Sequence, residues 1–142
     1  MTTTPPAEIG MSLEDIDTPA LLLDLDAFER NLDRMATAIA DKPVKLRPHS
    51  KSHKCAVIGL EQMARGAVGL CCQKVGEAEA MIAGGGPNVL VSNQIVGRPK
   101  LLRLAALAKQ AEWVGVCADH PDNVDQLNEA AQAMDAKLNV LV

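Results

Sequence analysis

The chain has 142 residues, 48% hydrophobic and 23% charged, with a net charge of -4, which is a globular composition and excludes a disordered or fibrous protein. One Phe, one Trp and no Tyr leave almost nothing on which to stack bases, and the acidic balance opposes a phosphate backbone, so nucleic acid is excluded as a partner. No run approaches the roughly 18 uninterrupted apolar residues of a membrane span, and Met1 to Pro6 lacks the basic and apolar regions of a signal peptide, so no membrane partner and a cytoplasmic location are expected.

Residues 1–16 read as a polar, Pro-containing leader. Thr18-Pro19 then introduces Ala20-Leu21-Leu22-Leu23-Asp24-Leu25, an apolar run of the length of a strand buried on both faces. A helix follows, with Asp26 placed to cap it and Glu29 to reach back in a capping box. Phe28, Leu32, Met35, Ala36 and Ile39 repeat at helical spacing behind them.

The alternation continues. Strands are expected at residues 44–48, 68–73, 88–92, 112–118 and 137–142. Helices are expected at 54–65, ended by Gly66; at 76–83, ended by Gly84-Gly85-Gly86; at 99–110; and at 121–135, the last two with Pro in the first turn. The glycine run falls where a helix gives way to a strand and reads as a turn. Repeated β-α units require parallel strands, in either an open doubly wound sheet or a closed (β/α)8 barrel, and periodicity alone does not choose between them. No Gly-x-Gly-x-x-Gly follows any strand, which removes the usual dinucleotide site but not a flavodoxin-like sheet.

The fold class expected is α/β, a partial (β/α)8 TIM barrel with about six of its eight strands. A whole barrel takes about 250 residues, and the chain stops on the apolar run Leu138-Asn139-Val140-Leu141-Val142. Residues 17–142 are therefore expected to be the N-terminal part of a longer barrel, with aggregation rather than turnover the fate of this piece alone.

The four cysteines, Cys55, Cys71, Cys72 and Cys117, form no C-x-x-C pair. Adjacent Cys71 and Cys72 would point to opposite faces of a strand as buried thiols.

Residues 42–60 hold Lys42, Lys45, Arg47, Lys51 and Lys54, five of the chain's 14 basic residues, with His49 and His53 and no acid. Lys45, Arg47, His49, Lys51 and His53 occupy alternate positions, so a strand here turns its polar set one way. In a barrel that way is the mouth, and Lys51 stands at the C-terminal strand end, where barrel enzymes keep their chemistry. Neighbouring cations favour the neutral, nucleophilic form of an amine, and the same field attracts a phosphate ester. Set against this, most lysines in basic runs are solvated surface groups. His49 and His53 straddle the strand end with no third ligand nearby in sequence, which disfavours a metal there. Gln73 and Asn93 end the next two expected strands, and either could see a ligand or merely bond loop backbone. His120, before Pro121, reads as a cap.

The segments Asp17 to Asp26, Leu46-Arg47-Pro48-His49-Ser50-Lys51-Ser52-His53-Lys54, Cys71-Cys72-Gln73-Lys74-Val75-Gly76-Glu77-Ala78-Glu79-Ala80 and Val91-Ser92-Asn93 together closely resemble the D-threonine aldolase family. That family includes 3-hydroxy-D-aspartate aldolases and, more distantly, D-serine dehydratases. The resemblance runs in order from Asp17 onward. It implies an alanine racemase-like N-terminal barrel followed by a C-terminal β domain that this chain lacks. It implies pyridoxal phosphate as cofactor, with Lys51 as its Schiff-base lysine and Gln73 as a cofactor contact. It also implies a divalent metal (Mn, Mg, Co or Zn), bound through the C-terminal part so that no ligand can be named here, and a homodimer at full length. The activity implied is cleavage of a D-3-hydroxy amino acid to glycine and an aldehyde. The alternatives are a dehydratase using the same cofactor, or a non-catalytic cofactor-binding barrel.

Overall fold

The computed structural model describes residues 5–142. The chain divides into two compact units, Met1–Asn31 and Leu32–Val142.

The first unit contains a 3-10 turn, Leu13–Asp15, whose Glu14 N–H is accepted by Ser12 Oγ at 3.4 Å. Helix α1, Leu25–Ile39, begins within it. The expected cap is corrected by two residues: the side chain that accepts a first-turn amide is Asp24, whose Oδ1 takes the Ala27 N–H at 2.9 Å, so Asp26 lies inside the helix. A carboxylate one residue before the first helical position is the one that can reach those amides. The strand expected at 20–25 is also corrected. Residues 20–24 carry no ladder, and Leu21 is 99% exposed. An apolar run becomes a strand only where neighbouring backbone pairs its N–H and C=O groups.

The second unit alternates strands and helices: α2 (Ala56–Ala64), β1 (Leu70–Cys72), α3 (Val75–Ala83), β2 (Asn88–Gln94), α4 (Arg98–Leu107), β3 (Trp113–Cys117), α5 (Pro121–Ala133) and β4 (Asn139–Leu141). The four strands form one parallel sheet in sequence order, registered as Leu70 to Val89, Val89 to Val114 and Gly115 to Asn139. Four strands thus stand among the described residues where six were expected. The 44–48 segment does run alongside β1, through Val68 N–H to Leu46 O at 2.9 Å, Cys71 N–H to Pro48 O at 2.8 Å and one isolated bridge, His49 to Cys71. Pro43 and Pro48 have no N–H to give, which breaks the ladder before it becomes a strand.

Strand alternation sorts the sheet into two faces. Leu70, Cys72, Val89, Val91, Val114 and Val116 turn to one side and join Ala78, Met81, Leu101, Leu104, Leu127 and Ala130 in the hydrophobic core. α2 comes close to this side: a Cβ on Gly59 would lie 2.7 Å from Leu70 Cδ1, so only glycine lets the helix approach. The glycine run is a turn as expected, with Gly84 closing α3 and Gly85 at φ +97°. No helix among the described residues is long and apolar enough to cross a membrane.

Candidate functional site

The polar alternation read from residues 45–53 becomes a row of side-chain contacts along β1. At the lower end Arg47 Nη1 donates to Asn88 Oδ1 at 2.7 Å, and its guanidinium carbon lies 4.9 Å from the centre of the Trp113 ring. Burial lowers the Arg47 pKa from its ordinary value, and the aromatic face offsets part of the cost of desolvating the cation. In the middle, His49 Nε2 stands 3.7 Å from Cys71 Sγ. At the C-terminal end of the row, Lys51 Nζ donates to Gln73 Oε1 at 3.0 Å. The structure therefore brings together the two residues singled out in the sequence, Lys51 and Gln73.

The backbone around Lys51 is held from both sides. Ser50, 1% exposed, donates both its N–H and its Oγ–H to Cys71 O, at 2.8 and 3.1 Å. On the far side Lys54 N–H returns to Ser50 O at 2.7 Å, and Lys54 adopts φ +52°, a left-handed conformation uncommon for a residue with a Cβ. His53 turns away from His49: its Nδ1 accepts the Cys55 N–H at 3.1 Å, and its buried Nε2 has no hydrogen-bond partner. Burial depresses the His53 pKa, and a proton on Nδ1 would displace the Cys55 amide, so the neutral ring suits this place.

Gln73 is set by the start of α3. Glu77 Oε2 accepts the backbone N–H groups of Gln73 and Lys74 at 2.7 and 3.3 Å, fixing the turn from which the Gln73 side chain projects. Cys72, beside it, faces the core. Burial pushes its thiol up to about 11 against the opposing hydrogen bond from Ser50, so it stays protonated near neutral pH. Asn93 lies half-buried near the end of β2, and His120 caps α5 through Nδ1, which accepts the Asp122 N–H at 3.2 Å.

Two parts of this arrangement were not anticipated. The Arg47, Asn88 and Trp113 brace joins residues distant in sequence, and no local pattern marks it. The Glu77 cap could have been found, since an acid three residues after Lys74 at a helix start is a capping spacing.

Pyridoxal phosphate attaches through a primary amine, and the donor set fits it. Lys51 is exposed, its partner is a neutral amide, and among the described residues it enters no ion pair that would tie up the amine. No group of three His, Cys, Asp or Glu side chains that could hold a metal occurs among the described residues. The resemblance places the ligands of its metal in the C-terminal part, and no described residue of this chain is assigned to it.

The chain is similar to known proteins over most of its length. The chain is 45% identical over 138 residues to a D-threonine aldolase of Arthrobacter sp, covering 97% of this chain and 36% of that protein. It is 43% identical over 138 residues to the 3-hydroxy-D-aspartate aldolase of Paracoccus denitrificans, covering 96% and 36%. The crystal structure of D-threonine aldolase from Filomicrobium marinum superimposes with a TM-score of 0.92 at 57% identity, covering 96% of this chain and 37% of that one. The chain thus spans about a third of the length of the relatives it matches. The model of the alanine racemase N-terminal domain matches residues 23–142, and the chain belongs to that family.

Proposed function

We propose that this chain carries the cofactor lysine of a pyridoxal-phosphate-dependent aldolase that cleaves D-3-hydroxy amino acids of the D-threonine type to glycine and an aldehyde. The observation that carries this reading is the Lys51 Nζ to Gln73 Oε1 contact of 3.0 Å at the C-terminal ends of a parallel sheet, together with the similarity to aldolases over nearly the whole chain. In this reading residues 17–142 form the N-terminal part of the barrel, and further polypeptide completes it and pairs two copies.

When bound, the cofactor supplies an electron sink for the pair released as the Cα–Cβ bond breaks. Lys51 anchors it through Nζ. When not engaged by the cofactor, Lys51 Nζ would hold a proton, and Gln73 Oε1 would accept a hydrogen bond from it and fix its position. Ser50 and the Lys54 to Ser50 bond fix the backbone on either side of Lys51, so the amine returns to one place. Arg47, beneath, keeps the row in register. A divalent metal belongs to the same reading, but no ligand for it is assigned in this chain and no step is derived through it.

Product analysis tests the reading. The protein that contains this chain, loaded with cofactor and supplied with D-threonine, is expected to yield glycine and acetaldehyde. Release of 2-oxobutanoate without glycine would identify a dehydratase instead.

A further inference from the structure

Beside the Lys51 to Gln73 contact, on the other side of Gln73, a hollow of about 620 Å³ opens between the ends of β1 and β2 and the starts of α3 and α4. Lys54, Lys74, Lys100 and Arg103 line it, with Glu77 as the one acid, and Gln73 and Asn93 supply amides.

The charges in this hollow do not cancel. Glu77 is engaged by the backbone N–H groups of Gln73 and Lys74, and Arg103 is paired with Glu79 through two hydrogen bonds. That leaves Lys54, Lys74 and Lys100, none of which enters an ion pair among the described residues. Three uncompensated ammonium groups around one concavity raise the local concentration of a small anion. Glu77 accepts the amides of Gln73 and Lys74, just before α3, and so is turned toward the chain rather than left to oppose the three lysines. The left-handed Lys54 backbone, at φ +52°, is a conformation that carries a cost and is kept where the surroundings over-determine it.

We propose that this hollow binds the carboxylate of the amino-acid substrate. The proposal rests on the aldolase reading for the position of the substrate's amine. Gln73 touches Lys51 Nζ and also lines the hollow, so an amino acid whose nitrogen sits at Lys51 has its carboxylate, two bonds away, at the edge of the lysine cluster. Lys54, Lys74 and Lys100 then orient the substrate about its Cα, and that orientation decides which bond stands in position to break.

The test is a titration of the cofactor-loaded protein with sodium acetate, and separately with inorganic phosphate and methylammonium chloride, at constant ionic strength. The amide resonances of Gly76 and Lys100 are followed. Acetate is expected to give saturable shifts, methylammonium none, and the double variant Lys54→Gln/Lys100→Gln to bind acetate about tenfold more weakly, with an unchanged spectrum elsewhere as evidence of folding. In kinetics the same variant raises KM for D-threonine about tenfold and also lowers kcat for Cα–Cβ cleavage, because the substrate is no longer held with that bond in position. Acetate shifts that do not saturate, or that persist in the double variant, overturn the proposal. Saturation by phosphate but not acetate overturns it in favour of an inorganic anion. A Lys51→Ala variant separates the two readings: loss of aldol cleavage with acetate shifts retained leaves the hollow intact, whereas absence of D-threonine cleavage in the parent protein beside saturable acetate binding removes only the aldolase reading.

Discussion

The two faces of the sheet are built from the same strands and could hardly differ more. One face sets Leu70, Cys72, Val89, Val91, Val114 and Val116 against α3, α4 and α5, all of them fully buried and none charged. The other sets Arg47, His49, Cys71, Asn88 and Trp113 in a row that ends at Lys51 and Gln73, joined by hydrogen bonds and one cation on an aromatic ring. The first face follows from period-two burial of apolar area, worth about 25 cal/mol per Å². The second costs stability to desolvate and is kept together by specific partners. Stability should therefore reside mainly on the first face and chemistry on the second.

Substitutions that treat the faces separately test this division. The largest loss of stability is expected from Met81→Ala, which empties a side chain that is 1% exposed and should cost about 2–5 kcal/mol in denaturant unfolding, with cofactor attachment to Lys51 retained in the folded fraction. Arg47→Met should be milder, about 1–3 kcal/mol, because it leaves Asn88 Oδ1 and Leu70 O without their donor. Equal losses from the two would erase the distinction between the faces. Gln73→Leu is expected to change stability least while slowing cofactor attachment by about five- to tenfold, since it removes only the acceptor that positions Nζ. Unchanged attachment kinetics would mean that Gln73 does not position the amine.

The smallest effect expected is a pH dependence behind Lys51. The folded state lowers the His53 pKa from 6.5 through burial. Above 6.5 the ring is neutral in both states and contributes nothing to the pH dependence. As pH falls below 6.5 the unfolded chain takes up a proton that the folded one resists, so stability declines on the acid side. His53→Gln should flatten that part of an unfolding curve measured from pH 7 to pH 5. A slope identical to that of the parent would assign it elsewhere.

Much of this layout was legible in the sequence, for identifiable reasons. The four strands that form lie inside apolar runs at 68–73, 88–92, 112–118 and 137–142 or overlap them closely, because each run is bounded by glycine, proline or an amphipathic helix. Residues 20–25 carry an equally apolar run and form no strand, since apolarity does not provide a pairing partner. The 44–48 segment fails for a local reason, the missing amides of Pro43 and Pro48, that could have been weighed beforehand. At the site, alternation put Lys45, Arg47, His49, Lys51 and His53 on one side; the side chains of Arg47, His49 and Lys51 do meet Asn88, Cys71 and Gln73 in a row, whereas His53 departs from it to bond the Cys55 amide. That Lys51 would meet Gln73, and Arg47 meet Trp113, depends on how strands register across the sheet, which no local spacing encodes. Of the lysines of the hollow only Lys54 stands in the basic run; Lys74 just before α3 and Lys100 inside α4 are distant from it in sequence, and no local pattern joins the three.

The central claim is that Lys51 is the amine that takes the cofactor. Its direct test is to incubate the protein with pyridoxal phosphate, reduce with borohydride, digest, and locate the added mass. The account predicts one dominant adduct on the peptide containing Lys51, absent from Lys51→Ala. An adduct spread over the surface lysines, or one that survives in Lys51→Ala, would contradict it.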